Sequence, residues 1–145
     1  MFKNILLPID GSETSKIALT AGVAFAKETG AAVTGFYVIP NFHVITYQTE
    51  MLEDTRAEFE KAGLERAKHY LAEVTDAAAA AGVKCDTYFV SGDYPYEAII
   101  EAVKEKHCDL IIMASHGRRG VKGLLLGSET QKVLTHSTIP VLVYR

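Results

Sequence analysis

The stretch that decides the fold is "NILLPIDGSE", residues 4–13, where a continuous apolar run gives way to a polar turn. An apolar run of this length without polar alternation is typical of a strand that is buried on both faces of its sheet. The strand is predicted to end at Pro8 to Asp10. Ser12 is a residue type that caps helices, so a helix is predicted from there to about Glu28. Four apolar residues at helical spacing mark the predicted inward face of that helix: Ile17, Ala21, Ala24 and Phe25.

The same alternation of strand and helix continues along the chain. Further strands are predicted at residues 31–39, 83–90, 109–115 and 140–145. The order βαβαβαβαβ predicts a single parallel sheet with helices on both faces, which is the α/β class. The run at 83–90 alternates apolar with polar residues more than the others do, as is typical of a strand near the edge of a sheet.

The later helices carry signals at their ends. The second has one apolar stripe from Leu52 to Ala78 and is predicted to stop at Gly82. Asp93 is predicted to cap the third helix, with Pro95 in its first turn, and residues 128–137 are predicted to form the fourth.

Composition limits the class of protein. The 145 residues, 48% of them hydrophobic, suffice for one domain over residues 1–145 whose core needs no metal or disulfide. A formal net charge of −3 gives no general attraction to nucleic acid or to an anionic membrane. The apolar runs are too short for a signal segment or a membrane span. Cys85 and Cys108 are isolated in sequence, which indicates reduced thiols rather than a zinc site. A soluble cytoplasmic protein is therefore predicted, with no nucleic acid partner and no membrane insertion.

The glycine-rich stretch "SHGRRGVKGLLLGS", residues 115–128, is the candidate functional feature. It is not a P-loop, because Gly120 is followed by Val121 instead of lysine, and the dinucleotide fingerprint GxGxxG is also absent from the chain. Neither of the two common phosphate loops is therefore present.

Gly127 and Ser128 stand at the predicted start of the fourth helix. The first backbone N–H groups of a helix lack helical partners, and the helix dipole favours an anion there. Gly127 would let the chain approach a ligand without a Cβ clash. Three cations lie in the loop before it: Arg118, Arg119 and Lys122. The residues alone leave two interpretations open, a phosphate site and an ordinary strand-to-helix turn. Asp10 is either a turn residue or an acid that orients a ligand, and His116 is either a turn residue or a general acid.

Four segments resemble the universal stress protein family and together cover nearly the whole chain: "ILLPIDGSE", "FYVI", "DLIIMASHGRRGVKGLLLGS" and "IPVLVYR". The ATP-binding branch of that family has the pattern G-x2-G-x9-G-[ST]. The pattern aligns here with Ala114, Gly117, Gly127 and Ser128. Both spacings, the last glycine and the hydroxyl are kept, and alanine replaces the first glycine.

The resemblance implies an open, Rossmann-like sheet with strand order 3-2-1-4-5, which brings the ends of the first and fourth strands together. It implies a protein that binds ATP, AMP or ADP, with or without Mg²⁺. It also implies a stress-linked sensor or regulator that forms a homodimer through the edge strand Val141–Tyr144 and acts on a regulatory protein that the sequence does not identify. Because the chain ends at Arg145, nothing further along it is expected to cover that edge. The implied nucleotide-binding residues are Pro8, Asp10, Val38, Met113, Ala114, His116, Gly117, Gly127, Ser128, Glu129 (through its backbone) and Thr130.

Two alternatives stay open. Ala114 favours a nucleotide-free dimeric interaction module of the kind found in the non-binding branch of the same family. The other alternative is a slow ATPase or nucleotidyl transferase that uses His116. The sequence shows no dedicated nucleophile and no paired catalytic carboxylates for such an enzyme.

Overall fold

The computed structural model describes residues 1–43, 49–117 and 126–145, with the side chains of residues 49–54 outside the description. The described chain forms a five-stranded parallel sheet in the order β3-β2-β1-β4-β5. Both the α/β class and the strand order 3-2-1-4-5 are thus confirmed. The elements are β1 Asn4–Pro8, α1 Glu13–Thr29, β2 Ala32–Ile39, α2 Thr49–Ala81, β3 Cys85–Ser91, α3 Pro95–Glu105, β4 Leu110–Ala114, α4 Ser128–His136 and β5 Val141–Tyr144.

Helices cover both faces of the sheet, as predicted. α1 and α2 pack on one face, and α3 and α4 pack on the other. Successive residues of β1 alternate between these two cores, since Ile5 and Leu7 face α1 and α2 while Leu6 faces the opposite side. All three are almost completely buried. The continuous apolar run at the start of the chain therefore follows from burial on both faces.

The inward face of α1 differs from the prediction. Ile17 is 53% exposed and Ala24 is also exposed, so the predicted stripe was wrong by about one position. The buried residues of the helix are Ser15, Ala18, Leu19, Gly22, Val23 and Ala26. Gly22 accounts for the difference, because a Cβ at that position would lie 2.5 Å from Leu7 Cδ2. Leu7 of β1 fills the space that a side chain at Gly22 would take, and a hydrophobic pattern does not count glycine as apolar.

α2 and β3 agree with the patterns predicted from the sequence. The predicted stripe of α2 is buried at Gly63, Ala67, Leu71, Val74 and Ala78, whereas the side chain of Leu52 lies outside the described residues. β3 is an edge strand, as its alternation predicted. No helix within the described ranges is both long enough and apolar enough to cross a membrane.

The start of α3 also differs from the prediction. Asp93 does not cap the helix, because the cap position is Tyr94, whose side chain makes no capping hydrogen bond. Asp93 Oδ1 instead lies 2.7 Å from His43 Nε2, and this hydrogen bond holds the pKa of the Asp93 carboxyl below its usual value. The acceptor that caps α3 comes from another helix, since Tyr96 N–H donates to Glu129 Oε2 of α4 at 3.0 Å. Pro95 stands in the first turn of α3, as expected.

Candidate functional site

The carboxyl ends of β1 and β4 lie side by side. The two strands pair in parallel, with Ile5 opposite Leu110 and Leu6 opposite Ile111. The turns that follow them meet closely, because a Cβ added to Gly117 would lie only 2.6 Å from Asp10 Oδ2. The polar turn after β1 and the start of the glycine-rich stretch after β4 therefore lie together. In parallel α/β sheets, ligands bind at such adjacent carboxyl ends.

Local hydrogen bonds hold the Asp10 side chain in this position. Its Oδ1 accepts from Ser12 N–H at 2.9 Å, and its own backbone N–H donates to Ser15 Oγ at 3.1 Å. Ser12 caps α1, as predicted, because its hydroxyl accepts from Ser15 N–H at 3.2 Å. Asp10 thus lies just after β1, stabilises the turn and places a carboxylate against Gly117.

The amino end of α4 completes the site. Gly127 precedes the helix with an extended backbone, and its N–H donates to Ser115 O at 2.6 Å. The first helical hydrogen bond runs from Gln131 N–H to Gly127 O at 3.1 Å. The backbone N–H groups of residues 128–130 therefore precede the helical ladder and carry the positive end of the helix dipole. This arrangement suits an anion.

Gly127 packs closely against the turn after β4, a contact that the sequence did not predict. A Cβ at this position would lie 3.3 Å from Ser115 O and 3.5 Å from His116 Cα. The close approach of the β4 turn therefore favours a small residue at this position. A larger side chain would press on this turn as well as on any ligand.

Ala114 is the residue at which this chain departs from the family pattern. It ends β4, is 8% exposed and does not have a positive φ. An alanine adopts such a conformation without strain, so the backbone does not require glycine here. Its carbonyl accepts a hydrogen bond from Thr130 Oγ1 at 3.0 Å.

Three of the predicted residues lie on one face of the sheet. Met113 and Val38 pack with the core under α3 and α4, and the alternation of β1 places Pro8 on the same face as Leu6. All three are near the carboxyl ends of adjacent strands. Because α4 packs on that face too, these apolar residues lie on the same side of the sheet as α4.

Thr130 and Glu129 use their side chains for internal contacts. Thr130 is 3% exposed, and its hydroxyl is the donor to Ala114 O. The Glu129 carboxylate accepts from Tyr96 N–H at 3.0 Å and lies 3.4 Å from Lys132 Nζ. Contacts from these two residues to a phosphate would therefore come from their backbone N–H groups.

The last predicted positions are His116, Ser128 and the basic loop. His116 Nδ1 lies 2.9 Å from Ser115 Oγ, and Ser128 is exposed at the first position of α4. Residues 118–125 of the loop, among them Arg118, Arg119 and Lys122, lie outside the described residues. Where the structure is described, no group of three or more His, Cys, Asp or Glu side chains could hold a metal ion.

Thr14 is a residue of the site that sequence reasoning missed. Its hydroxyl donates to His116 O at 2.8 Å, across 102 positions of sequence. In the sequence, Thr14 is one of several polar residues at the start of a helix. Thr14 reaches the turn after β4 only because β1 pairs with β4.

A cavity of about 580 Å³ lies elsewhere, between α2 and the ends of β2 and β3. Its charged lining groups are paired: Arg56 Nε lies 3.0 Å from Glu60 Oε1, and His43 pairs with Asp93. These described side chains leave no net charge that would select an anion. The cavity is lined by Ile39, Pro40, Asn41, Phe42, His43, Arg56, Glu60, Leu64, Phe89 and Ser91.

Known proteins resemble the chain over its whole length. The model of the universal stress protein family matches residues 1–145. Universal stress protein YxiE of Bacillus subtilis is 35% identical over 153 aligned positions, covering 100% of both chains. The solved structure of MJ0577 of Methanocaldococcus jannaschii has a TM-score of 0.82 at 34% identity and covers 99% of this chain and 95% of its own. A universal stress protein solved in complex with cAMP has a TM-score of 0.72 at 25% identity, covering 99% of this chain and 97% of its own.

Proposed function

The chain belongs to the universal stress protein family, and we propose that it binds ATP, or its relatives AMP and ADP, at the carboxyl ends of β1 and β4. The observation that carries the proposal is the meeting of Asp10, Gly117 and the amino end of α4 at one point. Backbone N–H groups and a helix dipole favour a phosphate there. The complex of a relative with cAMP supports an adenine nucleotide as the ligand class.

The residues fit the parts of such a ligand. The half-buried Pro8 and Val38, with the buried Met113 beside them, offer an apolar surface for a base. The α4 amides with Ser128 offer donors for phosphate. The strand conformation of Ala114 removes the backbone reason for favouring a nucleotide-free module. Because the described residues hold no cluster of metal ligands, we propose that any Mg²⁺ arrives on the phosphates of ATP.

Calorimetric titration with ATP, AMP and cAMP tests the proposal. Ser128→Ala removes the hydroxyl at the start of α4 and is expected to weaken ATP binding about threefold to tenfold. The matched control is Ser91→Ala, which truncates an exposed serine that lines the other cavity. Wild-type protein that gives no heat with millimolar ATP would favour the nucleotide-free module. A loss confined to Ser91→Ala would place the ligand in the other cavity.

The proposal extends to a cytoplasmic, stress-linked regulator that works as a homodimer and acts on a protein partner. The free thiols Cys85 and Cys108 suit a reducing compartment. β5 is an edge strand, and Tyr144 on it is 41% exposed. Its pairing with a second copy would satisfy the backbone groups on that edge.

The register of β5 identifies the groups that such a dimer would use. The carbonyls of Pro140 and Tyr144 accept from β4, so the alternation of the strand directs the N–H groups of Val141 and Val143 outward. Val143→Pro removes one outward N–H without breaking a bond to β4. It is expected to shift the sedimentation mass from dimer to monomer, whereas Val143→Ala keeps the N–H and the dimer. A dimer that persists in Val143→Pro would contradict pairing through this edge.

A further inference from the structure

Three consecutive carbonyls at the end of β4 and in the turn after it accept hydrogen bonds from two elements, α4 with its capping residue and α1. Ala114 O accepts from Thr130 Oγ1 of α4 at 3.0 Å. Ser115 O accepts from Gly127 N–H at 2.6 Å, and His116 O accepts from Thr14 Oγ1 of α1 at 2.8 Å. The turn is thus held from one face of the sheet by the amino end of α4 and from the other face by Thr14 of α1.

The hydrogen bonds at Thr14 have one consistent direction. A carbonyl oxygen only accepts, so the single hydroxyl proton of Thr14 points to His116 O. Thr14 Oγ1 also lies 3.1 Å from Ser12 Oγ, and Ser12 must be the donor in that contact. Ser12 Oγ in turn accepts from Ser15 N–H. A chain of hydrogen bonds therefore runs from the cap of α1 to the turn after β4. The bonds within such a chain polarise and strengthen one another.

The Thr14 hydrogen bond also orients the next peptide N–H. In a planar trans peptide, the carbonyl of His116 and the N–H of Gly117 point in opposite directions. Since Thr14 draws the carbonyl toward α1, the Gly117 N–H points away from α1. The Gly117 nitrogen lies near the start of α4, 3.9 Å from the position that a Cβ of Gly127 would take. The N–H of Gly117 is therefore on the same side of the turn as the backbone N–H groups at the start of α4.

We propose that Thr14 is a positioning residue for nucleotide binding: through its hydrogen bond to His116 O it aims the Gly117 N–H at the ligand phosphate. This inference rests on the proposed function and adds a donor to the amides of residues 128–130. Thr14 acts through the peptide of His116 and Gly117, so it affects affinity without contacting the ligand.

The test compares three threonine variants by calorimetric titration with ATP. Thr14→Val keeps the shape and removes the donor, and it is expected to weaken ATP binding about threefold to tenfold. Thr14→Ser restores the hydroxyl and is expected to bind within about twofold of wild type. The matched control is Thr20→Val on the same helix, where an exposed hydroxyl donates to Lys16 O at 3.0 Å far from the site. It is expected to leave ATP affinity unchanged.

A second readout needs no ligand. The ¹³C chemical shift of the His116 carbonyl reports hydrogen bonding to its oxygen and is expected to change in Thr14→Val and to be preserved in Thr14→Ser. Wild-type ATP affinity in Thr14→Val, together with an unchanged carbonyl shift, would overturn the inference. If wild-type protein does not bind ATP, the proposed function and the ligand part of this inference both fail. The carbonyl shift still decides in that case whether Thr14 holds the turn.

Discussion

Replacement of Gly117 by alanine is the perturbation whose effect follows most directly from the geometry. The new Cβ would lie 2.6 Å from Asp10 Oδ2, whereas ordinary contact begins near 3.4 Å, so the carboxylate must retreat by about 0.8 Å. Asp10 has a short side chain, and Oδ1 is held by Ser12 N–H at 2.9 Å, so the retreat weakens that bond. Weakening a hydrogen bond to a charged group at a partly exposed site costs about 1 to 2 kcal/mol. A domain of this size should then lose about 3 to 8 °C in Tm.

Thermal unfolding and ATP titration of Gly117→Ala provide the assay. Gly92→Ala is the matched control, because a Cβ at Gly92 would meet nothing within 4 Å. The control is expected to leave Tm within about 2 °C and ATP affinity unchanged. The double variant Asp10→Ala/Gly117→Ala removes the clash and should recover part of the stability that Gly117→Ala loses. If Gly117→Ala matches Gly92→Ala in both measurements, the Asp10 carboxylate does not lie against this turn.

Three further predictions follow from other contacts. Glu129→Gln keeps an oxygen for Tyr96 N–H but removes a negative charge from the first turn of α4. Calorimetry should therefore show ATP affinity raised by up to about fivefold at low salt. The gain should shrink in about 0.5 M salt, which screens the charge. Because Glu129 caps α3, Glu129→Ala should lower the free energy of unfolding by about 1 kcal/mol in urea titrations. Asp93→Ala should cost clearly less, and equal losses in the two variants would contradict the assignment of Glu129 as the cap. Burial raises the pKa of the Cys108 thiol to about 11, so the folded state retains a proton that the unfolded chain releases. The free energy of unfolding should therefore fall by about 2 kcal/mol more between pH 8 and 11 in wild type than in Cys108→Ala, and equal slopes would argue against a buried thiol.

The strands were predictable because burial on both faces demands an apolar residue at nearly every position. The runs at β1 and β4 show this most clearly, since both strands lie inside the sheet. The order of the strands could not be predicted from these apolar runs. Alternation of strands and helices predicts a parallel sheet but does not say which strands are neighbours. The order came from the resemblance to the family, and the pairing of Ile5 with Leu110 confirms it.

The inward face of α1 could not be predicted from periodicity. The helix is rich in small apolar residues, so two neighbouring stripes both have helical spacing. The choice between them depends on Gly22, whose missing side chain makes room for Leu7. Which face of a helix packs on a sheet depends on the side chains of the sheet, here Leu7 of β1. The hydrophobic pattern of the helix alone carries no information about them.

Contacts between distant elements account for the rest. The sequence indicated Asp93 as the cap of α3, and the structure supplies Glu129 from α4. In the same way, Thr14 reaches the turn after β4 only because β1 pairs with β4. Both contacts join residues that are far apart in the chain, and neither has a local spacing that would reveal it.

A titration of ¹⁵N-labelled protein with ATP, followed by two-dimensional NMR, tests the location of the site most directly. We expect the backbone amide signals of Gly117, Gly127 and Ser128 to move progressively with ATP, while those of Phe89 and Ser91 beside the cavity near α2 stay in place. Signals that stay fixed up to millimolar ATP, or shifts confined to Phe89 and Ser91, would contradict nucleotide binding at the ends of β1 and β4.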